Sequence, residues 1–569
     1  MSCLRRSLCL LLFAVFVTFA TAATAPSEPQ PTLLADMQRE LDRAHKELAK
    51  ANPAPYYISY TVADANNTII AASQGAIATA MQNHTRRADV ITRVGSATLD
   101  NTHNENRESA IVSGSIPLSD DHAAIQRTFW DLTNRGYRQA MTAFLRTKTR
   151  ADVRAEEEDD SPDFSKENPQ THVEAAPLTP IDQEAWKQRI RRLAQQFRDR
   201  TEIENSGVFL VVEDEDRYFV STEGTRLVTP SRISRLFLYA TVKAPDGMDL
   251  MRMESFQASD PSKLPADAEL TQKIATMVSD LKALKAAPIA EPYSGPALLS
   301  GRAAAVLTHE VLGHRLEGQR QRGDDEGQTF TKKINQAVLP NFLSIVDDPT
   351  RKAFGSTELS GTYAFDDEGM PAKAVHLIED GVLRNFLLSR MPVKGFETSN
   401  GHGRAETGKV PVGRQGNLIV TAKKSMSEAD LRKQLIAEIK KQNKPYGLYF
   451  DDIQGGFTLT TRQLPQAFQV LPIMVWRVYP DGRPDELVRG VDLVGTPLAA
   501  FSHILAAGDQ QHVFNGICGA ESGSVPVSAV APAMLFSEFE TQRKAQSHER
   551  PPILPAPIEP AAKKTGGAR

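Results

Sequence analysis

Two histidines and a glutamate stand together in Thr308-His309-Glu310-Val311-Leu312-Gly313-His314. Imidazoles bind Zn²⁺ without cancelling its charge, so the ion stays a strong Lewis acid, and a carboxylate beside it can take a proton from bound water. The familiar metallopeptidase spacing of four puts both histidines on one helical face. Here the spacing is five, which leaves the side chains roughly 140° apart on an ideal helix. Both reach one ion only if the helix ends or widens between them, and Gly313 is the residue that would permit this. The bland alternative is a pair of histidines satisfied by local hydrogen bonds. Against it, burying two imidazoles and a carboxylate on a helix containing Ala303-Ala304-Ala305 is costly unless something pairs them. Glu317 follows on the same segment and is placed to orient a ligand histidine.

The three cysteines are Cys3, Cys9 and Cys518. The first two fall in a leader: Arg5 and Arg6 are its positive start, Leu8 to Phe19 is an apolar run, and Ala20-Thr21-Ala22 and Ala23-Thr24-Ala25 are small-residue cleavage sites. Residues 1–23 thus have the pattern of a secretory signal peptide, too short for a comfortable membrane span. The expectation is an exported, periplasmic or secreted protein with no membrane span in the mature chain. Cys518 is then the one thiol, with no internal disulfide partner. Count alone leaves it open as a core residue, an intermolecular link, a nucleophile or a metal ligand. His503 and His512 are rival third ligands by proximity in sequence.

The elements that must position these groups sit in a chain of 569 residues, 41% hydrophobic and 24% charged, with a net charge of −4. That composition builds globular domains and gives no general reason to bind nucleic acid. An N-terminal α+β domain is expected over 30–290. In it, helices cover Leu33–Lys50, Asp121–Lys148 and Ile181–Arg198, and strands cover Tyr56–Val62 and Thr68–Ala72 with Asn66-Asn67 as their turn. Further strands fill Val208–Val242, turning at Glu223-Gly224 and around Pro230. The acidic stretch 154–180 reads as a solvated insertion. After an Ala- and Pro-rich boundary, 293–545 forms a β-rich domain opened by the metal-site helix, with hairpins at Asp380-Gly381 and Asp481-Gly482. Residues 546–569 form a proline-rich, disordered tail.

Several segments together resemble one family. They are Tyr293-Ser294-Gly295-Pro296, the run from His309 to Gly318, Phe365-Asp366-Asp367-Glu368-Gly369, Leu377 to Leu383, Gly516-Ile517-Cys518-Gly519 and Ser524-Val525-Pro526-Val527. In this order they are similar to the TldD/PmbA metallopeptidases. The resemblance implies an α+β fold: an N-terminal mixed domain with antiparallel sheet, a barrel-like C-terminal domain, and the metal-site helix at their junction. It also implies one zinc per chain held by His309, His314 and Cys518, with Glu310 as general base. A three-ligand set of this kind leaves the fourth position open for water. The implied substrate is an unstructured peptide or partly unfolded protein. The implied partner is a second copy, as a homodimer, or a PmbA-like chain, as a heterodimer. Family members typically lack a signal peptide, so the substrates and partners of cytoplasmic relatives do not transfer. His402 and Arg404, in Gly401-His402-Gly403-Arg404, are candidate substrate-binding groups, with a simple turn as the alternative; nothing in the sequence fixes which of them would steady an oxyanion. A peptide-binding scaffold with a dormant site and a zinc hydrolase of non-peptide amides are the competing functions.

Overall fold

The computed structural model of the chain describes residues 32–103, 107–151, 159–200, 202–322, 326–461 and 468–544. The leader, the first part of the acidic run and the proline-rich tail lie outside these residues. Among them, no helix is long and apolar enough to cross a membrane.

Seven strands make the first sheet: β1 (Pro55–Ser73), β2 (Ala76–Val94), β3 (Ile111–Ser115), β4 (Thr171–Val173), β5 (Asn205–Ser221), β6 (Arg226–Lys243) and β7 (Asp249–Ala258). They run in the order β3-β2-β1-β5-β6, with β4 and β7 both bonded to β6. All pairs are antiparallel except β4–β6. Even-numbered residues of the long central strands supply the buried face. Ile58, Tyr60, Val62 and Val220 pack under α1 (Thr32–Leu48) and α2 (His122–Ala151) at one end. Ile70, Ala72, Val208 and Leu210 pack under α3 (Gln183–Gln195) and α4 (Asp267–Ala286) at the other. The helix α1 shows the pattern plainly: Leu34, Met37, Leu41 and Ala44 recur at helical spacing and all are buried.

Three sequence expectations are corrected here. The turn expected at Asn66-Asn67 is absent, because β1 runs through both asparagines, which pair with His84 and Asn83 on one side and Asp214 and Glu213 on the other. A two-sided ladder satisfies their backbone groups, and the chain turns instead at Gln74-Gly75, both at positive φ. Pro230 is not a turn either. It lies within β6, facing Asp216 of β5, at a gap on the outer edge between the residues paired by β4 (226–228) and those paired by β7 (234–243). A residue with no N–H is tolerated at such an unpaired edge. Finally, the solvated insertion expected at 154–180 is corrected in part: half of its described residues are exposed, but Asp163, Phe164 and Ser165 are buried and Thr171–Val173 forms a strand.

The second sheet has eleven strands. Five of them form a closed ring: β8 (Tyr293–Leu299), Gly447–Thr458, Phe468–Val478, Val491–Gly495 and Gly523–Arg543, the last of which bonds back to β8. This is the barrel, and its β8 pairs on both sides through the apolar run Ala297-Leu298-Leu299. The hairpin at Asp380-Gly381 is present, with both turn residues at positive φ and Glu379 facing Val382. Phe468–Val478 and Glu486–Val488 pair across the segment holding Asp481-Gly482.

The two sheets are tied by charged side chains. Arg390, 1% exposed, donates to both oxygens of Glu223 at 2.6 and 2.9 Å and to the Ser165 carbonyl, and it lies over the Phe164 ring. Arg252 reaches Asp452 at 2.6 Å, and Arg217 pairs with Asp367. Removing one member of a buried pair strands the other. Arg390→Met is therefore expected to cost about 3 kcal/mol, read as a lowered urea midpoint; an unchanged midpoint would show that the seam does not hold the halves together.

Candidate metal centre

The helix α5 (Gly301–Val311) begins immediately after β8. The Ser300 hydroxyl caps it, accepting from the Ala303 N–H at 3.1 Å and donating to the Asp451 carbonyl at 2.7 Å. Small residues let it pack against the strands of the barrel, and only Arg302 and Glu310 of its residues are not fully buried. The α-helix stops at Val311, and Gly313–Leu316 continues as a tighter 3₁₀ turn. The break falls between the two histidines and brings their rings to a centroid separation of 5.0 Å, crossed at 77°. Arg315 occupies the helix end by donating to the Val311 carbonyl. Gly313 matters for a different reason than the one expected from sequence. Its φ is not positive, but a Cβ there would overlap the carboxamide of Gln415, a fully buried residue whose Nε2 donates toward the His309 carbonyl at 3.4 Å.

Cys518 arrives on the strand Ile504–Ala520, opposite Val525. Its Sγ is 3.3 Å from His314 Nε2. One ligand atom from each of His309, His314 and Cys518 lies within 4.8 Å of the others, and all three residues are buried. Tetrahedral zinc, with bonds of 2.0–2.3 Å, holds its nitrogen and sulfur ligands about 3.3–3.6 Å apart. The buried Nδ1 of His309 has no hydrogen-bond partner, and two imidazoles with a thiol at this spacing are donors of the kind zinc takes. The donor set therefore fits a metal ion.

Behind the ligands stands Glu317, with no solvent exposure. It accepts from His314 Nδ1 at 3.1 Å and Arg320 Nε at 2.9 Å, and Arg414 Nε lies 3.5 Å away. Burial alone would raise its pKa, but His314, Arg320 and Arg414 outweigh that and hold it at about 2. Burial would likewise lower the His314 pKa, yet the charges of Glu317 and Cys518 push it well above the usual imidazole range. The Cys518 thiol, which burial would raise, is brought well below its usual range by His314 and His309.

The metal-site residues open on a cavity of about 1990 Å³ walled by both halves of the chain. Glu310 lines it, its Oε2 3.9 Å from His314 Nε2. Gly456 of the facing hairpin approaches so closely that a Cβ there would meet the Glu310 side chain at 3.0 Å. The other sequence candidates lie elsewhere. His402 is fully buried off the cavity wall, bonded to Asn400 and to Asp347 Oδ1 at 3.2 Å. Arg404 donates to the Gln415 carbonyl at 2.6 Å and lies over the Tyr363 ring. Neither lines the cavity, which corrects the cleft-lining expectation: His402 is held by Asn400 and Asp347, and Arg404 by the Gln415 carbonyl. His512 is half-exposed beside Glu428 and His503 contacts Ser537, so neither joins the ligand cluster. Arg414 and Gln415 were not singled out from sequence; their signal was only Gly413-Arg414-Gln415-Gly416, two polar residues between glycines.

Because position 313 is filled by the Gln415 carboxamide, Gly313→Ala is expected to displace His314 and lower metal retention several-fold. Shortening the neighbour in Gly313→Ala/Gln415→Ala should recover part of it, a coupling that the single variants do not predict additively. Metal content of the three purified variants checks this; equal retention in Gly313→Ala and wild type would remove the steric argument.

Residues 292–543 match the family described as the PmbA/TldA metallopeptidase C-terminal domain. A metalloprotease TldD homolog of Haemophilus influenzae is 30% identical over 249 residues, 43% of this chain and 47% of its own length. A metalloprotease of Archaeoglobus fulgidus is 30% identical over 234 residues, 41% and 49% of the two chains. These alignments thus span about half the length of the curated relatives. The fold extends further: the crystal structure of TldE from Thermococcus kodakarensis superposes with a TM-score of 0.57 over 89% of this chain and 100% of that one, at 13% identity. The ordered motifs, the barrel and the cluster of His309, His314 and Cys518 all fall inside residues 292–543, the region that is similar to the PmbA/TldA metallopeptidase C-terminal domain.

Proposed function

We propose that this chain is a zinc-dependent peptidase of unstructured peptides or partly unfolded protein segments. The observation that carries this is the convergence of His309, His314 and Cys518, with Glu310 beside them, on one cavity. At about 1990 Å³ the cavity exceeds the ~300–1,000 Å³ of small-molecule sites, and it suits a length of polypeptide. Zinc, when bound by the three residues, supplies a Lewis acid that acidifies water and polarises a carbonyl. Glu310, the partly exposed acid at the end of α5, takes the proton of the attacking water and delivers it to the departing amine. Glu317 keeps the His314 ring oriented and its Nδ1 proton in place. On the facing hairpin Gly456 packs against Glu310, and the open space beside Gly455 is where an extended chain would lie.

The expected result is about one zinc per chain in the wild type, lost in Cys518→Ser, with Glu310→Gln retaining zinc but cleaving an unstructured fluorogenic peptide ~10²–10⁴-fold more slowly. Wild-type hydrolysis rates in Glu310→Gln would take the general-base role away from that residue, and metal-free wild type would sink the zinc reading.

Export by residues 1–23 and pairing with a second copy or a PmbA-like chain belong to the same proposal. The leader pattern supports the first. The likeness of fold to TldE supports the second. Intact and native mass spectrometry of protein recovered from the periplasm or medium should show a start close to residue 24 and a dimeric mass. An intact Met1 on cytosolic protein, or a monomer alone, would overturn the corresponding part.

A further inference from the structure

Most cations on the cavity wall are either paired or in water. Arg320 is spent on Glu317, Glu326 and Glu521, Arg322 on Asp163 and backbone carbonyls, and Lys332 and Lys409 are exposed. Arg107 differs. It lines the same cavity yet is only 6% exposed, and of its guanidinium only Nη1 is engaged, by the Pro411 carbonyl at 3.2 Å. Its Nε and Nη2 are buried without a partner. These two N–H groups form one edge of the guanidinium, the edge that binds a carboxylate through two parallel hydrogen bonds. A buried charge with idle donors is unfavourable and is expected where a ligand completes it.

The backbone says the same. Arg107 has φ 63° and ψ 0°, a left-handed conformation unfavourable for a residue with a Cβ. It is held there by its neighbours: the Ala110 N–H donates to the Arg107 carbonyl, and Ser109 and Asn101 bond each other in both directions. Burial, with Arg93 close by, lowers the Arg107 pKa to about 10, while Asp100, Asp163 and Glu368 act on it through space without pairing. It remains a cation at neutral pH on the cavity wall, with Nε and Nη2 covered and unpartnered, so a ligand meets that edge when the side chain turns toward the cavity.

We propose that Arg107 is a specificity-determining residue whose free Nε–Nη2 edge binds a carboxylate of the peptide in the cavity, either the C-terminal α-carboxylate or an Asp or Glu side chain. This rests on the peptidase reading for the nature of the ligand, and it gives the cavity a preferred substrate class and a direction. The metal-site residues come from the second half of the chain and Arg107 from the connection between β2 and β3 of the first sheet, so a peptide anchored at both must cross the cavity between them.

The test is binding of one labelled unstructured sequence in three forms: a free acid lacking acidic side chains, its C-terminal amide, and the amide with an internal Glu. Fluorescence anisotropy is read on full-length Glu310→Gln protein, which cannot turn the peptide over, alone and combined with Arg107→Gln or Arg107→Lys. At least one carboxylate form should bind about tenfold or more tighter than the neutral amide, and which one does identifies the source. The preference should fall to within about twofold in Arg107→Gln and be partly kept in Arg107→Lys. Equal binding of all three forms without any change at 107 overturns the proposal, and that comparison stands even if Arg107→Gln does not fold. A preference that persists in Arg107→Gln also overturns it. If protein with Glu310 intact cleaves none of the peptides while the preference still follows Arg107, the peptidase reading falls and the carboxylate site stands.

Discussion

The carboxylate of Glu317 has no contact with solvent, and the rest of the metal site is arranged around it. One oxygen fixes His314 and the other meets Arg320. Arg414, beside it, donates to the Cys518 carbonyl at 2.7 Å and to Ser522 and Gly523. A single buried anion thereby links the 3₁₀ turn that carries one ligand to the strand that carries another. Isolated, such a charge would be prohibitively desolvated. Two guanidiniums and an imidazole make it tolerable, and in doing so they fix positions that the apolar barrel alone would leave unspecified. Arg320 extends the network outward to Glu326 and Glu521 at the cavity wall, so order in the buried shell and the shape of the cavity are set by the same contacts.

Around that charge the barrel imposes a second constraint, which is space. The helix α5 is wrapped closely by strands, and the residues that permit this are alanines and glycines. A five-residue histidine spacing would defeat a continuous helix. The change to a 3₁₀ turn at Leu312 resolves it locally, and Gln415 packs into the room left by the missing side chain at 313. Geometry that looks like a departure from the usual motif is thus a consequence of close packing between the end of a helix and a loop.

How much of this was legible in the sequence follows from how local each cause is. The two histidines, Glu310 and the need for a helix break between them are readable from seven consecutive residues, and Asp380-Gly381 announces its own hairpin because both residues accept positive φ. Bringing Cys518 to them depended on resemblance, since more than 200 residues of chain intervene and no local pattern encodes that approach. Where the cause was tertiary, local signals misled. Asn66-Asn67 has turn-forming residues but sits between two strands that satisfy its backbone. Pro230 survives inside β6 because its edge is bare at that point. His402 and Arg404 look like cleft residues in a glycine-rich loop, yet they are held by partners outside it, Asp347 from a strand 55 residues away and the Gln415 carbonyl 11 residues on.

The comparisons divide the molecule in a way the structure explains. Sequence likeness to the curated relatives is confined to about half the chain, whereas likeness of fold covers 89% of it. His309, His314, Cys518 and the charges behind them lie within the matched residues 292–543, where a shift of an ångström would undo their convergence. The first sheet needs only to present a wall and to hold it in place through contacts such as Arg390 with Glu223 and Arg252 with Asp452. A wall can be rebuilt with other side chains on the same strands without disturbing the cluster on the barrel. Such a division puts the cluster of His309, His314 and Cys518 on the barrel and the opposite cavity wall on the sheet that faces it, with the ion pairs of the seam joining the two.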